Sequence, residues 1–379
     1  MHLWDISQHI NIVSFDVPFP ANYGGVIDVF YKLKALQELG CQITLHCFDY
    51  GRGKQAALEK YCTAVHYYKR NMSLSKMAGK LPYIVNTRNS KALLNNLLID
   101  HAPILFEGLH SCYFLDDEQL KKRFKIVRTH NIEHDYYSNL AQSEKKILKK
   151  IYFKQESKRL KTFEQILQHA NLIAAISAND TYHFKRNFKS VYTVSAFHPY
   201  NKVEINEGLG NYALYHGNLA VAENNLGALF LVNEVFNKTC FPLIIAGSAP
   251  STALAEAVKK HKHITLKGDI STNEINGLIS NAQINVLPTF QATGIKLKLL
   301  AALFSGRHCL VNTPMVANTG LEELCVVRDM AVEMAKEIEL LKDFPLSKSM
   351  IEQRKRLLES TFSNKYNAKL LMDFIQNAN

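Results

Sequence analysis

The sequence predicts an α/β protein of two doubly wound domains in series, each a parallel sheet covered by helices on both faces. Three observations carry this. At 379 residues the chain is too long for one ordinary domain. Short β-branched apolar runs alternate with stretches of helical spacing along most of its length. The alternation halts once, at the polar, Pro-containing stretch 197–210, and then resumes.

The first series opens with INIVSF (10–15), a short buried strand followed by the loop DVPFPANYGG. In GVIDVFYKLKALQELG the apolar positions Val26, Phe30, Leu33, Leu36 and Leu39 recur at helical spacing, and Gly40 supplies the stop. QITLHCF (42–48) is the next strand. Others are predicted at Ala64–Tyr68, Pro103–Glu107, Lys125–Arg128, Leu172–Ile176 and Val191–Ser195. Residues 144–168 read as one long helix, or two broken near Lys154–Arg159. Ile147, Ile151, Leu160, Phe163 and Leu167 form its inward stripe and its lysines face out.

The second series places strands at 212–216, 242–247, 264–268, 284–288 and 308–312. Helices are predicted at Asn225–Asn237, Thr252–His261, Thr272–Ala282 and Ile295–Phe304, and from Ser347 to Gln376 with no further strand. The expected division is 1–205, 206–350 and a terminal helix, 351–379, that crosses back onto the first domain. Strands separated by helices imply parallel sheets. Two such Rossmann-like domains would face one cleft with their carboxyl strand ends, where ligands of this architecture bind.

Composition narrows the class. Hydrophobic residues make up 47% and charged residues 21%, a globular profile. No apolar run reaches the roughly 18–20 residues that span a bilayer. The N-terminal MHLWDISQHINIVSF carries an acid and polar residues where a signal peptide needs an unbroken apolar stretch, so a cytoplasmic location is expected. The seven cysteines form no CxxC pair and read as reduced, mostly buried small hydrophobes. The net charge of +11 is concentrated in 141–190, with eleven Lys/Arg against four acids. That patch suits an anionic membrane surface or a pyrophosphate-linked acceptor, or is simply a solvated face. Nucleic acid is the weakest partner, because no readout module accompanies the charge.

Four stretches carry chemistry. In DVPFPANYGG (16–25) paired glycines at a strand–helix junction let the backbone approach a ligand, and the helix N-terminus favours an anion. RTHNIEHDYY (128–137) places His130, Asn131, Glu133 and His134 at a sheet's carboxyl edge. HNIEH lacks the HExxH order and no third ligand is evident, so it reads as a polar cluster for a sugar hydroxyl or phosphate rather than as a metal site. LPTFQATGIKLKLLAALFSG (287–306) runs from strand to loop to helix. Lys296 and Lys298 in a first helical turn oppose the dipole unless an anion such as a diphosphate sits there. AGSAPS (246–251) and LKGDIST (266–272) are small-residue loops, with Ser271 or Thr272 as a helix cap, whose amides could touch a base or ribose.

In this order the stretches PANYGG, THNIEHDYY, FEQILQHANLIAAISANDTYHF, YHGNLAVAENN and TGIKLKLL resemble the retaining GT-B glycosyltransferases of family 4, over nearly the whole chain. The resemblance implies a donor diphosphate near Gly24 and Gly25 and a contact from His130 to the transferring sugar. Lys298 would pair with the diphosphate, with Lys296 assisting. Gly217, Gly247, Gly268 and Asp269 would line the nucleotide, and the amides of Thr293, Gly294 and Ile295 would face phosphate or sugar. No cofactor or metal is implied; the donor would be a UDP- or GDP-sugar and the acceptor a glycan or lipid-linked sugar. The sequence departs from the family at its two acidic positions, here Thr293 and Ala301, the second of which ordinarily binds the ribose hydroxyls. Losing that charge-assisted bond costs on the order of 1.5–3 kcal/mol. A basic pair early in the second domain is also missing from GNLAVAENNLG. Beside the transferase reading stand a non-catalytic homologue that binds nucleotide sugar weakly or acts as a pathway partner, and, last, a sugar-nucleotide 2-epimerase-like enzyme.

Overall fold

The computed structural model describes residues 8–144, 146–290 and 296–377. Contacts divide the chain into two compact units, Met1–Pro199 with Thr361–Asn379, and Tyr200–Ser360.

The first unit holds seven parallel strands: β1 (His9–Ser14), β2 (Gln42–Asp49), β3 (Ala64–Lys69), β4 (Ile104–Glu107), β5 (Lys125–Thr129), β6 (Leu172–Ala175) and β7 (Val191–Thr193), in the order β3-β2-β1-β4-β5-β6-β7. Side chains alternate across this sheet as the strand pleat requires. Ile10 and Ile12 join the core beneath the helix Gly24–Glu38, whereas Val13 joins the opposite core with Phe106, Val127 and Leu160. The last helix, Asn364–Gln376, completes the former core through Leu371, Met372 and Ile375. Its start is tied to the strand side by His198 and Asn364, which exchange N–H···O bonds of 3.1 and 2.7 Å.

The second unit holds β8 (Ala213–His216), β9 (Leu243–Gly247), β10 (Ile264–Gly268), β11 (Ile284–Leu287), β12 (His308–Val311) and β13 (Val326–Val327), parallel in the order β10-β9-β8-β11-β12-β13. The two-residue β13 has no counterpart in the predicted series, since so short a run has no readable period. In each sheet the chain order reverses once, between β1 and β4 and between β8 and β11, and ligands of doubly wound sheets bind at the carboxyl ends beside such reversals.

Three expectations are corrected. The helix Lys348–Thr361 belongs almost wholly to the second unit, because buried Arg354 donates to the carbonyls of Gly306 and Arg307, both at 2.7 Å. Likewise Val203 and Glu204 bond to Glu359 and Phe304, so the division falls at Pro199 rather than after 205. The stretch 144–168 holds one long helix, Ile147–Phe163, unbroken at Lys154–Arg159 and followed by a 3₁₀ turn, Glu164–His169, but its predicted inward stripe needs the third correction. Leu160 and Leu167 are buried, but Ile147 and Ile151 are 73% and 55% exposed, as is Leu148 at 83%. The inward stripe therefore covers only the second half of that helix, where the sheet lies beneath it.

Candidate functional site

In the first unit the loop after β1 leads straight into the helix Gly24–Glu38. Tyr23 at its N-cap makes no side-chain cap bond, and no acid occupies the first turn, so the opening amides and the positive dipole end are left for an outside anion. Asp16 shapes the approach: it accepts from the Val17 amide at 2.8 Å and from the Tyr23 hydroxyl at 2.7 Å. A side chain at Gly25 would lie 2.6 Å from the Phe15 ring tip, so this glycine is required by packing against Phe15. Phe15 in turn stands edge-on to His130, with ring centroids 5.5 Å apart. Gly24 and Gly25 are thus close in fold to the His130 end of the sheet, as the topology demands.

His130, just beyond β5, is anchored in a fully buried charge network. Its Nε2 lies 3.0 Å from Glu107 Oε2, and its Nδ1 lies 3.9 Å from Asp28. Lys32 Nζ donates to Glu107 at 2.7 and 2.9 Å and to Asp28 at 2.9 Å, and Arg128 donates to Asp28 at 3.0 and 3.2 Å. Burial alone would push the Asp28 carboxyl up, but Arg128 and Lys32 hold it well below the usual carboxylate range. Glu107 is held low in the same way, against burial, by Lys32 and His130. Two carboxylates balance two cations, so His130 is oriented by Glu107 without an uncompensated charge. Asp28, Glu107 and His130 are close enough to share a metal ion, but Lys32 and Arg128 already hold the carboxylates as the local cations.

A second polar group lies at the same strand ends. His110 Nδ1 is 3.8 Å from Glu133 Oε1, and neither atom has a hydrogen-bond partner. Burial raises the Glu133 carboxyl to about 8 and pushes His110 well below its ordinary range, so burial favours the neutral form of each. Gly108, at φ 71°, turns the chain between β4 and His110; a side chain there would meet His110 at 3.1 Å. A buried neutral carboxyl beside a neutral imidazole can donate or accept a proton from a hydroxyl ligand. Sequence reading passed over His110, whose one local signal is its place two residues after a strand-ending Gly108.

In the second unit the carboxyl ends of β8, β9 and β10 are stitched together. Gly217 follows β8, and a side chain at Gly247 would come 1.8 Å from the Gly217 carbonyl oxygen. Close passage of two loops thus explains Gly247. Asp269, in the left-handed region at φ 54°, accepts from the Ala249 amide at 3.0 Å and donates its own amide to Gly247 at 3.2 Å. Gly268 ends β10 against Pro250. Ser271 and Glu274 form a capping box on the helix Thr272–Asn281, as the turn LKGDIST suggested.

Thr293, Gly294 and Ile295 lie outside the described residues. The helix that follows is Leu297–Ser305, so Lys296 is its N-cap rather than a first-turn residue, and Lys298 falls in the first turn. Lys298 donates to Asn224 Oδ1 at 3.0 Å and lies 5.3 Å from the centre of the Tyr215 ring. Burial lowers its pKa to about 8, with Glu223 opposing and Lys296 reinforcing the shift. Burial lowers Lys296 as well. Beside them His216, the last residue of β8, is buried, has no partner for Nε2, and is pushed down to about 3. A cation held below its ordinary pKa at an acid-free helix start is unfavourable alone and becomes favourable against a phosphate. His216 was missed because one histidine ending an apolar run carries no pattern. Ala301 is 4% exposed, packed with Leu214, Ala246, Ile279 and Ala282, and offers no acceptor to a hydroxyl.

Two parallel doubly wound sheets with these strand orders and strand-end loops define an α/β protein of the GT-B fold, with Rossmann-like domains. Among solved structures, TarM matches with a TM-score of 0.69 at 10% identity over 99% of each chain. HepE of Anabaena, solved in complex with UDP and glucose, matches at 0.66 and 9% identity, over 98% of this chain and 100% of its own. The lipopolysaccharide outer core galactosyltransferase WaaB matches at 0.63 and 12% identity, over 98% and 100%. By sequence, an uncharacterized 44.6 kDa protein in the cps region of Klebsiella pneumoniae is 26% identical over 354 residues, 87% of this chain and 89% of its own length. No protein-family model matches the chain.

Proposed function

We propose that this chain is a metal-independent glycosyltransferase of the retaining kind, moving a hexose-type sugar from a UDP- or GDP-sugar to a glycan or lipid-linked acceptor in surface-polysaccharide or glycoconjugate synthesis. The observation that carries it is Lys298, a half-buried cation of lowered pKa in the first turn of an acid-free helix beside an unpartnered His216. Such a cluster neutralises a leaving diphosphate without a metal ion, and stabilising developing charge is commonly the largest catalytic effect. Gly217, Gly247, Gly268 and Asp269 form the loop scaffold for the nucleotide, and His130, oriented by Glu107, takes the sugar. The transferases among similar structures and the cps-region relative support the class of reaction and the pathway.

The test is nucleotide binding. Purified protein screened against UDP, GDP and ADP should be stabilised by one of them, by about 2.7 kcal/mol at a concentration of 100 Kd. Absence of any stabilisation at millimolar nucleotide removes the reading. Ala301, in its apolar packing, favours one alternative, a homologue that binds the nucleotide without transfer. Stabilisation without turnover of any UDP- or GDP-sugar would select it.

The acceptor side has its own support. On the helix Ile147–Phe163 the exposed Ile147, Leu148 and Ile151 are interleaved with Lys149, Lys150 and Lys154. Apolar insertion with basic contacts, each worth about 1 kcal/mol, suits an anionic bilayer. The protein should sediment with anionic phospholipid vesicles and not with neutral ones. Replacing Ile147 and Leu148 by serine should release it, and equal binding to both vesicle types would exclude this role for the helix.

A further inference from the structure

HNIEH shows no third metal ligand in sequence, and the fold supplies two residues that no local spacing announces. His134 opens the helix Glu133–Ser143, Glu164 begins the 3₁₀ turn Glu164–His169, and His183 lies on the helix Ala178–Lys185. Glu164 Oε2 is 3.2 Å from His134 Nδ1, and Glu164 Oε1 is 2.9 Å from His183 Nε2. One donor atom from each residue lies within 4.8 Å of the others. His130 takes no part in this group; its ring is spent on Glu107.

Two features separate this cluster from an ordinary hydrogen-bonded carboxylate. First, among the described residues no lysine or arginine pairs with Glu164; its charge is opposed by His134 and His183 alone. The Asp28–Glu107 pair, by contrast, already holds two cationic side chains. Asp135 and Asp180 add further negative charge around the histidines. Second, His134 faces a carboxylate at each ring nitrogen, with Asp135 3.4 Å from Nε2. A neutral imidazole has one N–H, so one of these carboxylates must face a lone pair. Either a second proton or a metal ion on Nδ1 resolves this. With metal on Nδ1, the remaining N–H points at Asp135, the carboxylate–histidine–metal arrangement that fixes ring orientation.

We propose that His134, Glu164 and His183 form a binding site for a divalent transition metal of the zinc type, with Asp135 orienting His134. Imidazole nitrogens and a carboxylate bind such a metal at about 2.0–2.2 Å, which places tetrahedral ligand atoms about 3.4 Å apart. The two histidine–carboxylate separations, 3.2 and 2.9 Å, lie near that value, and the three donor atoms all fall within 4.8 Å of one another. The side chains of His134 and His183 are 12% and 20% exposed, which leaves the fourth position open to water. The ion would pin the segments that follow β5 and β6 to one another, a structural role separate from the donor chemistry proposed above.

The full-length protein, stripped with chelator and titrated with Zn²⁺ against a chromophoric competitor, should take up one tightly held ion per chain and melt several degrees higher. Glu164→Gln keeps a hydrogen-bonding side chain of the same size and should lower zinc affinity at least about tenfold, as should His183→Gln. Asp135→Asn should lower it by about 10- to 100-fold. The exposed His101→Ala serves as a control and should bind as the parent does. Co²⁺ in the unaltered protein should give the intense visible bands of a tetrahedral site, which decides the matter if the variants fold poorly. Absence of those bands, or zinc binding by folded Glu164→Gln and His183→Gln equal to that of the parent, overturns the proposal.

Discussion

Replacing Lys298 by alanine is expected to weaken UDP or GDP binding by about 10- to 100-fold while leaving the fold intact. The loss corresponds to one charge-assisted contact, on the order of 1.5–3 kcal/mol. The pH dependence has a defined sign. In the free protein burial sets the Lys298 pKa near 8, against 10.5 for an ordinary lysine. Below pH 8 the ammonium is already formed and meets the diphosphate directly. Above it, binding must draw a proton from solvent, so affinity falls as pH rises beyond 8. Stability of the free protein moves the other way. Between pH 8 and 10.5 the unfolded lysine holds more protons than the folded one, so folding becomes more favourable as pH rises. Calorimetry in buffers of different ionisation enthalpy should show proton uptake on nucleotide binding above pH 8, absent in Lys298→Ala. Unchanged affinity in the variant would place the diphosphate elsewhere.

Asp28→Ala should be the most destabilising single change in the first unit. The carboxylate accepts from Lys32, Arg128 and the Phe197 amide, and all three lie in the protein interior. Removing it leaves two buried cations facing one remaining carboxylate, Glu107, and breaking such a group costs about 3–5 kcal/mol. For a domain of this size that is a fall in Tm on the order of 10 °C. The double change Lys32→Met with Glu107→Leu removes a charge of each sign and should cost less than Lys32→Met alone, which is the signature of a coupled group. It should also loosen His130, whose Nε2 partner is Glu107. If Asp28→Ala costs less than about 1 kcal/mol in urea unfolding, water compensates these charges and the network does not fix His130.

Much of the architecture is legible without tertiary information because buried parallel strands read as short β-branched runs. INIVS, ILFE, INVL and HCLV are strands for this reason, and each ends in a loop at a carboxyl edge. The site loops follow from the same logic: Gly24, Gly25, His130, Gly217, Gly247, Gly268, Asp269, Lys296 and Lys298 all lie just beyond or at strand ends or at helix starts. Their individual duties are less legible. Gly247 is explained by the neighbouring Gly217 carbonyl, and Asp269 by the Ala249 amide, contacts between loops that no spacing relates. The helical period places Val26, Phe30, Leu33 and Leu36 correctly inside, but an apolar period says nothing of Asp28 and Lys32, which are fully buried as well. It also turns Ile147 and Ile151 inward, whereas both are exposed.

By itself the sequence determined what depends on neighbours along the chain: the strand and helix series, the parallel connections, the acid-free helix starts and the basic stretch 141–190. Tertiary structure alone decided which charges meet. Arg128 finds Asp28 across 100 positions, and Glu164 reaches His134 and His183 across 30 and 19. Local periodicity follows from backbone geometry and is written in adjacent residues. Burial and charge pairing instead depend on the low-polarity interior that forms only when distant strands assemble; that burial shifts the Glu133 and Lys298 pKa values, and the cations it brings to Asp28 hold that carboxyl low.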